Sequence, residues 1–458
     1  MTIALGLDLG STTTKAVLVD VADGCRVLRV GRAATPDDVP ALRDTVGRLL
    51  RDIAADAQVA AVGIASMAET GVALDEDGTA LTPLLRWDRT HTHAAHARLR
   101  TRHPHLPERT GIPDTPKPAL VVLHGLRERA PEVLTRMRRW QGVADLAAAA
   151  LTGAHATDHT LAARTMMLDP DAPQRRWDAA LLAELGLAPE VLPGILAPGE
   201  PAGRAGGAFG LPAGVPVYIA GHDHAVGAWA AGARQVGDVA DSLGTAEAVM
   251  AITEHVDTAA AVRDGFSVGR TVDDLHATVM GGNAACGALL VQWPDSPLPT
   301  LAAQGTDTWS TSPVTVLPYP RGRQCPHPNP NAHLRVLGTP IETGDLERGI
   351  LQSLVLHSRW MRTAMQRHTG MDADRIVLFG SLTERIPAWA PLTAAAGRAH
   401  VRRCTATEPV AAGAALLAAV RAGLAADTLV LDTVESTPSA SDGLEAAYDR
   451  FLAAALDP

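Results

Sequence analysis

Asp8-Leu9-Gly10-Ser11-Thr12-Thr13-Thr14-Lys15 is the stretch on which the reading of this 458-residue chain turns. Ahead of it, Ile3 to Leu9 is apolar and β-compatible; behind it, Ala16 to Asp20 (AVLVD) is a second such run, and the polar segment between them reads as a turn. A third run, Arg26 to Val30, follows the Ala22–Gly24 turn, so the opening predicts an antiparallel meander. From Pro36 the pattern changes period: Leu42, Val46, Leu49, Leu50 and Ile53 share one helical face. Val59 to Ala65 then reads as a buried strand, so strands and helices mix and the class is α/β.

The residues of the first turn suit phosphate. Gly10 opens backbone conformations closed to other residues and lets the chain approach a ligand. The N–H groups and hydroxyls of Ser11, Thr12, Thr13 and Thr14 can donate to phosphate oxygens, Lys15 adds a point charge, and Asp8 can hold Mg²⁺ through water. The GxxxxGK[ST] spacing of a Walker loop is absent. An ordinary Ser/Thr hairpin turn is the competing reading. It is weakened by the lysine, because Lys15 and Lys117 are the only two in the chain.

Composition bounds the rest. The length and the 47% hydrophobic content predict two or three domains. The net charge of −10, without a Lys/Arg run, argues against nucleic acid and anionic membrane as partners. No apolar run reaches the ~18 residues of a membrane span. The opening MTIALGLDLGS lacks the basic region of a signal peptide, and Cys25, Cys286, Cys325 and Cys404 form no CxxC pair. A cytoplasmic protein without disulfides or structural zinc is the expectation.

The segment from about Arg86 to Gln174 reads as mostly helical, and Pro/Gly punctuation follows from Pro189 to Pro216. An echo of the opening then appears: DSLGTAEAVMAIT from Asp241 repeats the Leu-Gly, the hydroxyl and the Ala-Val strand of DLGSTTTKAVLVD. It predicts two similar domains, residues 1–234 and 235–458. Between these hairpins, Asp223 stands in Gly221-His222-Asp223-His224 after the apolar run Val217–Ala220. A strand-end carboxylate there can act as a general base, or cap the helix suggested by AVGAWAAGA.

With these segments in view, the chain resembles the FGGY carbohydrate kinases of the actin-like ATPase superfamily. DLGSTTTKAVLVD is similar to the family's first phosphate motif and IASMAETGVALD to its sugar-contacting segment. LLRWDRT, AGHDHAVGAWAAGA, SLGTAEAVM, VLPYPRGRQCP and EPVAAGAALLA follow in the family's order. The resemblance implies two actin-like (RNase H-like) domains with the active site in the cleft between them. The first would bind a small sugar or polyol and the second the nucleotide. It implies ATP-dependent phosphorylation of a primary hydroxyl of a ketose or polyol, with Mg²⁺ and with Asp223 as base. Sugar contacts would come from Met67, Ala68, Glu69, Trp87, Asp88, Arg89 and His224, with His222 structural. Gly244, Thr245, Gly282, Gly380 and Ser381 would join the first loop in holding ATP, and a homodimer is a family-level expectation. EPVAAGAALLA would lie near the adenosine.

The adenosine segment departs from the family. A glycine is replaced by Phe379, whose ring would stack on adenine or crowd it, and the usual aspartate is missing at Ala394-Ala395. A non-catalytic or ATPase-only actin-like nucleotide switch is therefore the rival reading. Two further signals are discounted. HTHAAHARLRTRHPH, from His91, lacks the company of metal-site carboxylates or thiolates, and GGNAACGA, from Gly281, lacks the GxGxxG spacing.

Overall fold

Strand β1 (Ile3–Leu9) pairs antiparallel with β2 (Thr13–Asp20), and β2 with β3 (Arg26–Ala34), forming the expected meander. The computed structural model describes residues 1–22, 24–88, 92–172, 174–305 and 309–457. Helix α1 (Val39–Ala54) starts where Asp38 accepts the N–H of Ala41, and it buries Leu42, Val46, Leu49, Leu50 and Ile53. It leads into β4 (Val59–Ser66), which runs parallel to β1. With β5 (Gly203–Arg204) and β6 (Pro216–His222) the sheet order is β3-β2-β1-β4-β6-β5. Short helices, turns and short strands alternate in the stretch between β4 and β5.

The second sheet repeats this plan. Its strands are β7 (Asp238–Leu243), β8 (Glu247–Thr253), β9 (Ser267–Arg270), β10 (Ala277–Asn283), β11 (Arg375–Phe379), β12 (His400–Cys404) and β13 (Thr433–Ser436). The order is β9-β10-β8-β7-β11-β12-β13. Apart from the extra edge strand β9, β7 takes the place of β1, β8 of β2 and β11 of β4. The two echoing hairpins are thus equivalent elements of two like sheets. The long connection from β10 to β11 ends in helix α3 (Asp345–Thr369), which leads into β11 as α1 leads into β4.

The chain divides into two compact units: Met1–Ala230 with Arg270–Leu275 and Ala406–Leu431, and Ala231–Gly269 with His276–Thr405 and Asp432–Pro458. A single boundary does not describe this division, because helix α4 (Pro409–Arg421) belongs to the first unit. The reason is steric. Gly6 of β1 and Gly63 of β4 are register partners, and a Cβ on either would overlap the backbone of Ala411 or Ala414. Two glycines facing an alanine-rich helix let backbone lie on backbone.

Among the described residues, no helix is long and apolar enough to cross a membrane.

Candidate active site

In the first unit, β1, β4 and β6 run parallel side by side, and the chemistry-bearing residues cluster at their carboxyl ends. In open α/β sheets ligands bind at that edge. Asp8 closes β1, Glu69 follows β4, and Asp223 follows β6 at the start of helix α2 (Asp223–Ala230).

Asp8 is 3% exposed. One carboxylate oxygen receives the Lys15 ammonium at 3.0 Å; the other is buried without a partner. Burial pushes the Asp8 carboxyl up to about 6; Lys15 pulls it down, and the nearby charge of Asp223 pushes it up again. Lys15 also lies 3.3 Å from Glu408, whose other oxygen holds Arg32 at 2.5 Å. Burial alone would lower the Lys15 pKa, but its two carboxylate partners outweigh that and raise it. Glu408 opens the EPVAAGAALLA segment, which therefore lies against the first loop, and it was missed as a charge partner because it is remote in sequence.

The loop's hydroxyls divide. Thr12 is exposed, and Gly10, Ser11 and Thr13 are half-buried. Thr14 is fully buried: its hydroxyl pairs with Thr35 at 2.9 Å, and Thr35 donates to the Gly10 carbonyl at 2.8 Å. Its side chain therefore braces the turn from within, which differs from the expected side-chain contact to phosphate. Ser11 accepts the Trp87 Nε1–H at 2.8 Å and donates to the Met67 sulfur at 3.5 Å, tying the loop to both expected sugar segments.

Glu69 has φ of +58°, a conformation that non-glycine residues seldom adopt and that recurs at ligand sites. Its carboxylate pairs with Arg164. Burial pushes this carboxyl up, but Arg164, Lys117 and His222 outweigh it, and the net position is below the ordinary value. Lys117 lies 5.0 Å over the Trp87 ring. Arg164 carried no signal in the sequence, and Lys117 only its rarity. Asp88 is held by Arg86 through two bonds of 2.9 Å, and Arg86 also reaches Asp37 at 3.2 Å. Arg86, which sequence reasoning passed over, is thus the partner of Asp88. Arg89 lies outside the described residues.

Met67, Ala68 and Glu69 also line a small cavity of about 40 Å³ with Asp145, Thr157 and Trp177. Such a volume holds water rather than a sugar. Burial pushes the Asp145 carboxyl up to about 7, against hydrogen bonds from Thr157 and the Gly142 N–H. Its folded value lies above the unfolded one near ~4. The associated stability is complete below the unfolded value and is lost as pH rises through about 7. Asp145→Asn should therefore flatten the fall in Tm across that window by ~2–4 °C. Thermal scans at several pH values check this, and superimposable slopes for both proteins would refute it.

Asp223 is presented by a built turn. Gly221 has φ of +129°, and a Cβ there would strike Thr160 and Asp158. Thr160 accepts the His222 N–H at 2.8 Å and donates to Asp158 at 2.5 Å. The Asp223 carboxylate accepts the His224 N–H at 2.7 Å and lies 3.2 Å from the His222 ring nitrogen. Burial pushes His222 down to about 4, with Asp223 pulling it up and His224 and Arg164 pushing it further down, so the ring is neutral near pH 7.

In the second unit, the ends of the parallel strands β7 and β11 bring two loops together. Gly244 donates to the Ala246 carbonyl at 3.0 Å, and Thr245 is exposed. Gly380 has φ of +106°, and a Cβ there would strike the Leu243 backbone. Ser381 beside it is exposed. Gly282 is half-buried, and its N–H meets the Cys325 sulfur at 3.2 Å. Phe379 is 1% exposed, so its ring is interior packing and presents no face for stacking. Arg323 is a structural latch: it donates to the Ala455 carbonyl at 2.5 Å and stacks over Trp360. Beneath the Gly244 loop, Ser358 donates to Asp241 at 2.9 Å, while both Glu247 oxygens are buried without partners. Burial pushes Glu247 well above the ordinary carboxylate range, and the charge of Asp241 adds to it. Sequence reading gave no hint of this buried pair.

Solved structures define the class. A xyloylose kinase from Brucella ovis superposes with a TM-score of 0.87 at 22% identity, covering 99% of this chain and 98% of that one. The ligand-bound xylulose kinase from Lactobacillus acidophilus gives 0.86 at 18%, covering 99% and 97%. The fold is the two-domain actin-like ATPase fold. The chain belongs to the FGGY family of carbohydrate kinases: the family's N-terminal domain matches residues 3–230 and its C-terminal domain residues 239–422. L-fuculokinase of Escherichia coli (strain K12) is 28% identical over 279 residues, covering 56% of this chain and 58% of that one. This chain thus spans under two thirds of that relative's length. Xylulose kinase of the same strain is 27% identical over 382 residues, covering 76% of each.

Proposed function

We propose that this protein transfers the γ-phosphoryl group of ATP to a hydroxyl of a small sugar or polyol, with Asp223 as the general base. The observation that carries the reading is the placement of Asp223 and Asp8 at the carboxyl ends of two parallel strands that flank β4 in one sheet, close enough that the charge of Asp223 raises the Asp8 carboxyl. Asp223 takes the proton of the acceptor hydroxyl as its oxygen attacks phosphorus in line. Lys15 and the donors of Gly10, Ser11, Thr12 and Thr13 offset charge on the moving group. Gly244, Thr245, Gly282, Gly380 and Ser381 hold the nucleotide.

The donor set at Asp8 fits Mg²⁺: a buried carboxylate oxygen without a partner is what a hard cation or its water would occupy. Asp8 would hold the ion, which neutralises phosphate charge when bound. Glu69 accepts acceptor hydroxyls and Arg164 orients it; Trp87 offers the carbon skeleton a ring face, and His224 lines the same site.

A screen of ketoses, polyols and sugar acids for ADP production tests this reading. With the responsive acceptor, Glu69→Gln should raise KM at least about tenfold with a smaller change in kcat. Unchanged KM would remove Glu69 from the acceptor site.

A further inference from the structure

His222 and His224 flank Asp223 in a cluster that goes beyond the single carboxylate a general base requires. Among the described residues, it is the only group of three or more His, Cys, Asp or Glu side chains whose donor atoms converge within 4.8 Å of one another. The Asp223 Oδ1 lies 3.2 Å from His222 Nε2 and 3.9 Å from His224 Nε2. The two rings meet edge to face, with centroids 5.2 Å apart. Donors of a tetrahedral zinc site, each about 2.1 Å from the metal, lie about 3.4 Å apart. The two separations from Asp223 bracket that spacing and all three donor atoms lie within 4.8 Å of one another, so ring rotations would bring them onto one ion.

We propose that His222, Asp223 and His224 bind a divalent transition-metal ion such as Zn²⁺, and that this ion shuts the enzyme by occupying Asp223. Two imidazoles and one carboxylate suit Zn²⁺ or Co²⁺ and not Mg²⁺, which demands oxygen ligands. The side chains are 11%, 21% and 30% exposed in chain order, so the site opens outward through His224. Glu69 is tied to Arg164 and is not among the ligands. The turn is also preset, because Thr160 and Gly221 fix the backbone of His222 before any ion arrives. The binding claim stands apart from the kinase reading; only the inhibition rests on it.

The test is titration of the metal-free full chain with Co²⁺, followed by visible absorption, with Zn²⁺ as competitor. One Co²⁺ per chain should bind with the bands of a low-coordinate site, and Zn²⁺ should displace it. His222→Asn and His224→Gln should each weaken binding at least tenfold with unchanged circular dichroism. If the buried His222 variant does not fold, the more exposed His224→Gln decides alone. Absent bands, or binding unchanged in His224→Gln, would overturn the proposal. Added Zn²⁺ should stop phosphorylation by the wild type, whereas a chain that binds Co²⁺ at this site but, freed of it and supplied with ATP and Mg²⁺, phosphorylates nothing would uphold the metal site and overturn the kinase reading.

Discussion

Asp223→Asn should leave the fold and nucleotide binding intact and lower turnover at least about a hundredfold. The amide keeps the shape of the carboxylate and can still accept the His224 N–H, which the carboxylate now takes at 2.7 Å. It cannot take a proton. Helix α2 therefore still starts, and the Thr160 support of the turn is untouched. Steady-state kinetics with the responsive acceptor, alongside thermal melting, separates the two effects. A variant that melts like the wild type and turns over within about tenfold of it would remove Asp223 as the base.

Gly6→Val should destabilise the first unit by at least ~3 kcal/mol or abolish soluble expression. The side chain would enter the space of the Ala411 carbonyl, and Gly63 across the ladder faces the same helix. Backbone cannot rotate aside as a side chain can, so helix α4 must lift from the sheet. That movement would draw Glu408, at the head of α4, away from Lys15 and Arg32, so the phosphate loop would suffer with the fold. Gly206→Ala is the control: nothing lies within 4 Å of its added Cβ, and Tm should not change. Equal melting of both variants would contradict the close packing of α4.

The hairpins were legible because strand–turn–strand signals are local, and the likeness of two sheets followed from one short echo. Helix α1 was legible because its apolar period is strong, and the structure adds the Asp38 cap. Helix α4 was legible as a helix only through the resemblance, because its alanines carry little period; its place against Gly6 and Gly63, some 350 to 400 residues away in the chain, was not. The site shows the same division. Asp8, Lys15, Glu69 and Asp223 lie in short motifs that can be read in one pass. Glu408 and Arg164, which pair with Lys15 and Glu69, and Thr160, which braces the turn before Asp223, are distant in sequence, and only folding brings them near. Thr14 and Phe379 show the converse failure, since residue type alone gave no sign that both point inward.

The central claim is phosphoryl transfer to a sugar or polyol hydroxyl, and direct detection of the product tests it. The chain, incubated with ATP, Mg²⁺ and a panel of ketoses, polyols and sugar acids, should yield a phosphate ester of at least one acceptor by mass spectrometry. ADP should form in equal amount, and neither product should appear with Asp223→Asn. ADP formed at the same rate with and without every acceptor, and no ester, would contradict the account and leave an ATPase-only switch in its place.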